Sequence, residues 1–252
     1  MKSKIQIGLQ LFSVRQECDK NFPATIAAVG KMGYAGVEFA GYYNYPATEV
    51  RKMLDTNHLK CCGTHTGLDS LSGDNFARTV EFNQILGNKY LIVPGLEEIY
   101  RNSKAAWLST AAIFNEIAAK LKPLGMFVGY HNHHTEFIPI DGIIPWTLFF
   151  EKTSPEVVMQ VDTGNMMYGN GDPVAYLKQF PGRALTVHLK EFSATNPQAI
   201  LGEGEVNWPE IFRLCQTSGG TEWYIVEEEK DVYPPLECVA KCLHNLKQLL
   251  RT

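Results

Sequence analysis

Eight times along this chain a short apolar run gives way to a longer amphipathic segment, and that alternation restricts the fold more than any other feature. Strand-like stretches fall at residues 5–13, 34–39, 60–66, 89–94, within 126–137, and at 157–161, 184–191 and 222–229. Helix-like stretches follow them at 22–32, 48–57, 75–86, 104–121, 146–152, 173–180, 208–217 and 236–250. Punctuation supports these bounds: Asn21 is a candidate cap with Pro23 behind it, Gly33 and Gly87 close two helices, and Pro123 with Gly125 ends the longest. The run KYLIVP at 89–94 is continuously apolar, as a strand covered on both faces must be. Eight strand–helix units in 252 residues match a closed parallel barrel ringed by helices. The expected fold class is therefore α/β, a single (β/α)8 TIM barrel forming one domain over residues 1–252. An open doubly wound sheet is the runner-up, but the Gly-x-Gly in LGEGEV (201–206) lies in a loop and opens no helix, so a dinucleotide fingerprint is not supported.

Composition narrows the class of partner. Hydrophobic residues make up 45% and charged residues 20%, an ordinary globular balance. A formal net charge of −4 and a pI near 6.0 disfavour binding to a nucleic-acid backbone. Six cysteines (Cys18, Cys61, Cys62, Cys215, Cys238 and Cys242) form no CxxC pair and no regular framework, which points to a reducing compartment. The opening MKSKIQIGLQLFS is interrupted by Gln6, Gly8 and Gln10 and reads neither as a leader nor as a membrane span. A cytoplasmic protein without membrane or nucleic-acid partners is expected.

Chemistry collects at the ends of the later strands. In MFVGYHNHHTEF (126–137) a strand-like run leads into His131, His133, His134 and Glu136, and crowded imidazoles beside a carboxylate suit a divalent metal. Strand alternation places Val158, Gln160 and Asp162 on one face, and Thr186, His188 and Lys190 on one face of the next strand. Trp223, Ile225, Glu227 and Glu229 share a face of the last. Equal steps of one βα unit separate Glu136, Asp162 and His188, and a step lengthened by a loop leads to Glu227. Three carboxylates and one imidazole form a mixed donor set suited to one Mn²⁺, Co²⁺, Mg²⁺ or Zn²⁺ ion. The Asp-Thr-Gly of 162–164 is also the signature of aspartic proteases. That chemistry needs two such carboxylates sharing a proton, and only one copy is present here.

In their order and spacing, GLQLFSVR (8–15), GVEFAGYY (36–43), GTHTG (63–67), GYHNHHTEF (129–137), VDTGN (161–165), VHLKE (187–191), GEGEVNW (202–208) and IVEEE (225–229) resemble the xylose-isomerase-like barrel superfamily of sugar isomerases and epimerases, in particular a subgroup with HNHxxEF. The resemblance runs along nearly the full chain. It implies one divalent ion, Mn²⁺ favoured, held by Glu136, Asp162, His188 and Glu227. Many relatives carry the first glutamate at the position of His131, which makes His131 the alternative ligand. It further implies isomerisation or epimerisation of a keto sugar or related polyol by proton transfer through a metal-stabilised enediolate. Glu136 and Glu227 are then the acid/base pair, with His131 or His133 as substitutes. A lyase or dehydratase acting on a keto-inositol or 3-keto-glycoside shares the first half of that chemistry. An abasic-site endonuclease is disfavoured by the acidic pI, and a non-enzymatic sugar-binding subunit by the retained ligand set.

Further residues are candidates for substrate contact. Gln10 and Glu38 could bind hydroxyls or make structural hydrogen bonds. His65, placed with Cys61 and Gly63 by alternation, could bind substrate or cap its strand. Lys190 could contact substrate or pair with a carboxylate. Glu203 lies in the GEG loop, and Trp208 after it could form a sugar-facing wall or anchor the loop. Asn165 stands where some relatives have histidine and is expected to orient a ligand. Trp107 and Trp146 are expected in the core. The expected partner is a small carbohydrate, with a homo-oligomer possible.

Overall fold

The computed structural model describes residues 4–251. Residues 1–3, the start of the stretch read as neither leader nor span, lie outside the described residues. Eight parallel strands close a barrel in sequence order. They are β1 (Gln6–Gln10), β2 (Gly36–Phe39), β3 (Lys60–His65), β4 (Tyr90–Val93), β5 (Phe127–His131), β6 (Val158–Asp162), β7 (Thr186–Leu189) and β8 (Trp223–Val226). Pairing of Gly8 with Ile225 and of Leu9 with Val226 seals β1 to β8. The surrounding helices are α1 (Arg15–Met32), α2 (Ala47–Thr56), α3 (Asn75–Leu86), α4 (Glu98–Arg101), α5 (Lys104–Leu121), α6 (Pro145–Lys152), α7 (Thr163–Tyr168), α8 (Pro173–Gln179), α9 (Trp208–Leu214) and α10 (Pro235–Leu249). Among the described residues no helix is long and apolar enough to cross a membrane. All six cysteines are free and buried.

Local chemistry explains the elements. The Ser103 hydroxyl accepts from the Ala106 amide at 3.2 Å and starts α5, whose Trp107, Ala111, Phe114, Ala118 and Leu121 recur at helical spacing and are buried. Gly125, at φ 67°, stops the chain after Pro123 and lets it re-enter the sheet as β5. Tyr130, on the outer face of β5, meets Trp107, Phe114, Trp146 and Phe149 with ring centroids 5.3–5.9 Å apart. Truncating a ring such as Phe114 to alanine would cost about 3–5 kcal/mol.

The inside of the barrel has two storeys. Its floor is a separate apolar cluster of Cys62, Tyr90, Ile92, Val158, Trp223 and Ile225, with Phe127 packed against it. Above the floor, the inward side chains become polar: Gln10, Glu38, Gln160 and Thr186, then His131, Asp162, His188 and Glu227, all buried. Inward parity on β6, β7 and β8 follows the strand alternation. On β3 it does not. A bulge pairs Val37 with Cys61 but Glu38 with Gly63, so Cys62 is the extra residue. Cys61 joins the outer core and Cys62 the floor, which corrects the placement of Cys61 on the same face as His65.

Candidate metal centre

Residues at or just past the C-terminal ends of β5 to β8 converge at the mouth of the barrel. His131 Nε2 lies 3.9 Å from Asp162 Oδ2, which lies 4.0 Å from His188 Nδ1, and His188 Nδ1 is 2.5 Å from Glu227 Oε2. One donor atom from each of the four residues fits within 4.8 Å of all the others. Donors about 2.1 Å from one cation in tetrahedral array stand roughly 3.4 Å apart, so this cluster is close to a coordination shell.

Asp162 supplies the most informative atom. Its Oδ1 accepts from the Asn165 amide at 2.7 Å and caps α7, but its Oδ2 is buried with no hydrogen-bond partner. A buried carboxylate oxygen without a donor is costly. Burial, with Glu227 adding to it and Lys190 opposing, pushes the Asp162 pKa up to about 7. The orphaned oxygen faces the two imidazole nitrogens, which is where a divalent cation fits. The other charges are balanced within the cluster. Burial opposes a charge on His188, yet Glu38 and Glu227 on either side of the ring push its pKa up to about 10. Burial alone would raise Glu227, but Lys190 and His188 hold it well below the usual carboxylate range. Burial, His188 and His65 keep His131 well below the ordinary histidine value and hence neutral.

Glu136 is not in this cluster, contrary to the expectation that made it a ligand and acid/base group. After His131 the chain enters a 3-10 turn, Thr135–Phe137, that carries Glu136 to the outer side. Its Oε1 accepts from the Tyr130 hydroxyl at 2.9 Å and from Thr135 Oγ1 at 3.1 Å, and its Oε2 from the His133 amide at 2.8 Å. His131, the alternative, stands in the vacated place. His133 is exposed at the rim, its ring edge-on to His131 at 5.1 Å.

The remaining candidates divide. His65 stacks on His188 with centroids 5.4 Å apart and sits at the mouth. Lys190 is buried and pairs with Glu229. Gln10 and Glu38 are fully buried beneath the mouth, and all the Glu38 oxygens are taken by protein donors, so neither offers a free group to a substrate hydroxyl. Glu203 is exposed and accepts from the Ile200 amide at 3.2 Å within its own loop. Trp208 is buried, and its Nε1 donates to Glu191 Oε2 at 3.0 Å, which makes it an anchor and no sugar-facing wall. The Asn165 side chain reaches the Asn132 carbonyl at 3.4 Å, while its backbone amide serves Asp162.

Three residues had no role assigned from sequence. Gln160 joins His65, His131, Glu38 and Thr186, although alternation had already turned it inward. Asn132 clasps the Asp162 backbone in both directions, at 2.8 and 3.0 Å, and so fixes the end of β6 against the end of β5. Glu191, beside Lys190 in VHLKE, gathers the amides of Phe192, Gly202 and Val206 as well as the Trp208 indole. A Cβ on Gly204 would lie 2.6 Å from Glu191 Oε1, which requires glycine in the GEG loop.

Comparison with known proteins agrees with this architecture. A protein named inosose dehydratase from Serratia proteamaculans is 23% identical over 271 aligned positions, covering 91% of this chain and 90% of that one. The crystal structure of a sugar phosphate isomerase/epimerase from Parabacteroides distasonis superposes with a TM-score of 0.84 at 27% identity, over 97% of this chain and 98% of that one. The probable 3-DHS dehydratase from Bacillus anthracis shares the fold at a TM-score of 0.72 and 16% identity, over 96% and 99%. The family described as xylose isomerase-like TIM barrel matches residues 26–249, and with a closed eight-stranded barrel bearing its polar cluster at the strand ends, this chain belongs to that family.

Proposed function

We propose that this protein is a divalent-metal-dependent lyase that removes the proton next to a carbonyl in a small polyhydroxylated keto compound and expels an oxygen substituent from the neighbouring carbon. His131, Asp162, His188 and Glu227 would hold the ion. Two imidazoles and two carboxylates favour Mn²⁺, Co²⁺ or Zn²⁺ over Mg²⁺. When bound, the cation supplies Lewis-acid charge that lowers the cost of electron density on the substrate's carbonyl oxygen.

The observation that carries the choice of lyase is the withdrawal of Glu136. Epimerisation needs two groups, one to take the proton and another on the opposite face to return it. The carboxylate expected as the second group is bound to Tyr130, Thr135 and the His133 amide. Glu227 is left as the ionised carboxylate at the mouth beside His188. In elimination one base suffices: Glu227 takes the α-proton, the C–H electron pair becomes the new C=C bond, and the β C–O bond breaks. The proton passes from Glu227 to the departing oxygen, so substrate becomes unsaturated ketone plus water or alcohol. The dehydratase names among similar proteins support the same direction.

An isomerase or epimerase is the second reading, favoured by the similarity to the Parabacteroides distasonis structure and by His133 at the rim, which could return a proton. The test is incubation of metal-loaded protein with keto-inositols, 3-keto-glycosides and keto sugars in deuterated solvent. An unsaturated ketone with released water or aglycone is expected. A saturated isomer or epimer of the substrate, with no water or aglycone released, would overturn the lyase reading in favour of the second.

A further inference from the structure

Beneath the metal centre lies a buried carboxylate that touches no substrate space. Glu38 is fully buried, and every polar contact it makes is with a nitrogen that donates. Its Oε2 accepts from Gln10 Nε2 at 2.8 Å, His188 Nε2 at 2.5 Å and His65 Nε2 at 3.1 Å, and its Oε1 from Gln160 Nε2 at 2.8 Å. Room for it is made by the adjacent strand: a Cβ on Gly63 would lie 2.3 Å from Glu38 Oε1, and the β3 bulge brings that glycine opposite Glu38.

An ionised carboxylate can only accept, so it dictates the direction of every hydrogen bond that reaches it. The first line is direct. His188 Nε2 must carry a proton toward Glu38. Nδ1, 4.0 Å from Asp162 Oδ2, itself donates to Glu227 Oε2 at 2.5 Å. Once a cation displaces that proton, the Nε2–H held by Glu38 makes Nδ1 the nitrogen whose lone pair turns to the ion. The second line runs through an amide. Gln160 must turn its NH₂ to Glu38 Oε1, where it also reaches Thr186 Oγ1 at 2.9 Å, and its carbonyl oxygen therefore faces His131 Nδ1 at 3.0 Å. That oxygen accepts, so His131 carries its proton on Nδ1 and presents an unprotonated Nε2 to the cluster. Gln10 is fixed independently, because its oxygen accepts from the Phe12 amide at 3.0 Å.

We infer that Glu38 is the positioning residue that sets the tautomers of both imidazole ligands, His188 directly and His131 through Gln160, so that each turns a lone pair to the same point. The inference rests on the metal-centre reading given above. Replacing Glu38 by glutamine puts an NH₂ group into the ring of donors. If it faces Gln160, that amide must flip and reverse His131. If it faces His188, that ring must reverse. Either way one ligand turns an N–H toward the cation.

The test uses three proteins: wild type, Glu38→Gln, and the double variant Glu38→Gln with Gln160→Glu. In the double variant the acceptor-only group moves across one hydrogen bond. Glu at 160 can accept from His131, His65 and the new amide at 38, whose oxygen can accept from His188, so the original polarity returns with the same net charge. Zn²⁺ affinity is measured by calorimetric titration, and the protonated ring nitrogens of the Zn²⁺-loaded proteins by ¹⁵N NMR, with thermal melting of metal-free protein as the control for folding. Glu38→Gln should bind Zn²⁺ about 10–100-fold more weakly, the range for groups that orient a metal-bound histidine. The double variant should recover most of that loss, and wild type should show Nε2–H on His188 and Nδ1–H on His131. Equal Zn²⁺ affinity in wild type and Glu38→Gln, no recovery in a folded double variant, or the opposite ring nitrogens protonated would each overturn the inference while leaving the metal centre standing. Failure of wild type to bind Zn²⁺ would overturn both.

Discussion

The ends of β5 and β6 lie side by side and treat a carboxylate in opposite ways. At β6 the chain passes straight into α7, and Asp162 is at once the last strand residue and the helix cap. Its position is set by strand parity, and one oxygen is left inward without a donor. At β5 the strand stops at His131, and a 3-10 turn follows in which Glu136 finds three donors on the outer side. A carboxylate on a strand is aimed by the sheet, whereas one on a turn is aimed by whichever donors the turn brings to it. The contrast also has an energetic side. Asp162 is uncomfortable in the metal-free protein and Glu136 is satisfied, so the first is poised for a ligand and the second for stability.

The largest expected effect tests the β6 end. Asp162→Asn should weaken Zn²⁺ or Mn²⁺ binding by more than the roughly 10–100-fold typical of outer-shell changes. It should nevertheless melt at a higher temperature than wild type when both are metal-free at pH 8. The sign follows from linkage. Folding raises the Asp162 pKa from 3.8 to about 7, so the folded state binds more protons in that window and loses stability as pH rises through it. The asparagine has no such cost, and its advantage should shrink as pH falls from 7 toward 3.8. A metal-free variant less stable than wild type at pH 8 would break the comparison.

A paired experiment tests the β5 end. His131→Ala should lose divalent-cation affinity by at least about tenfold. Glu136→Gln should keep that affinity yet lose about 1–3 kcal/mol of stability, because a buried three-donor acceptor is replaced by a group with one acceptor oxygen. Calorimetric titration and denaturant unfolding measure the two quantities separately. Loss of metal affinity in Glu136→Gln without loss of stability would return Glu136 to the centre. The smallest effect is expected at Asn165. Its contact with Asp162 is through the backbone amide, so Asn165→Ala should change metal affinity by less than about tenfold.

The same distinction explains what could be read from the sequence. Alternation within strands placed Gln160, Asp162, Thr186, His188 and Glu227 inside the barrel, and α5 was read with both its ends where the structure has them. Punctuation by glycine and proline marks the ends of α1, α3 and α5 for physical reasons that act locally. What failed lay where an extra residue or a turn interrupts the period. The β3 bulge swapped the faces of Cys61 and Cys62, and nothing in the pattern of that strand announces it. Glu136 was assigned inward although its parity opposed that of His131, and the tyrosine and threonine that hold it were not weighed. For Glu38 and Trp208 the sequence leaves both substrate contact and a structural role open, because their chemical types suit both. Gln160, the partner of Glu38, comes from a distant strand that only the closed barrel brings near, whereas Glu191, the partner of Trp208, stands just past the end of β7 at the start of the loop that leads to Trp208.

The apolar floor has a consequence for traffic through the protein. Tyr90, Trp223, Val158 and Ile225 are almost wholly buried and close the barrel under the polar storey. Substrate, released oxygen species and exchanging protons must therefore all use the same opening. A molecule seated over the metal centre would cover that opening, and a proton lifted from it would have no back door through the floor to bulk water. Isotope taken from a labelled substrate should accordingly remain with the protein until that substrate, or what it has become, departs.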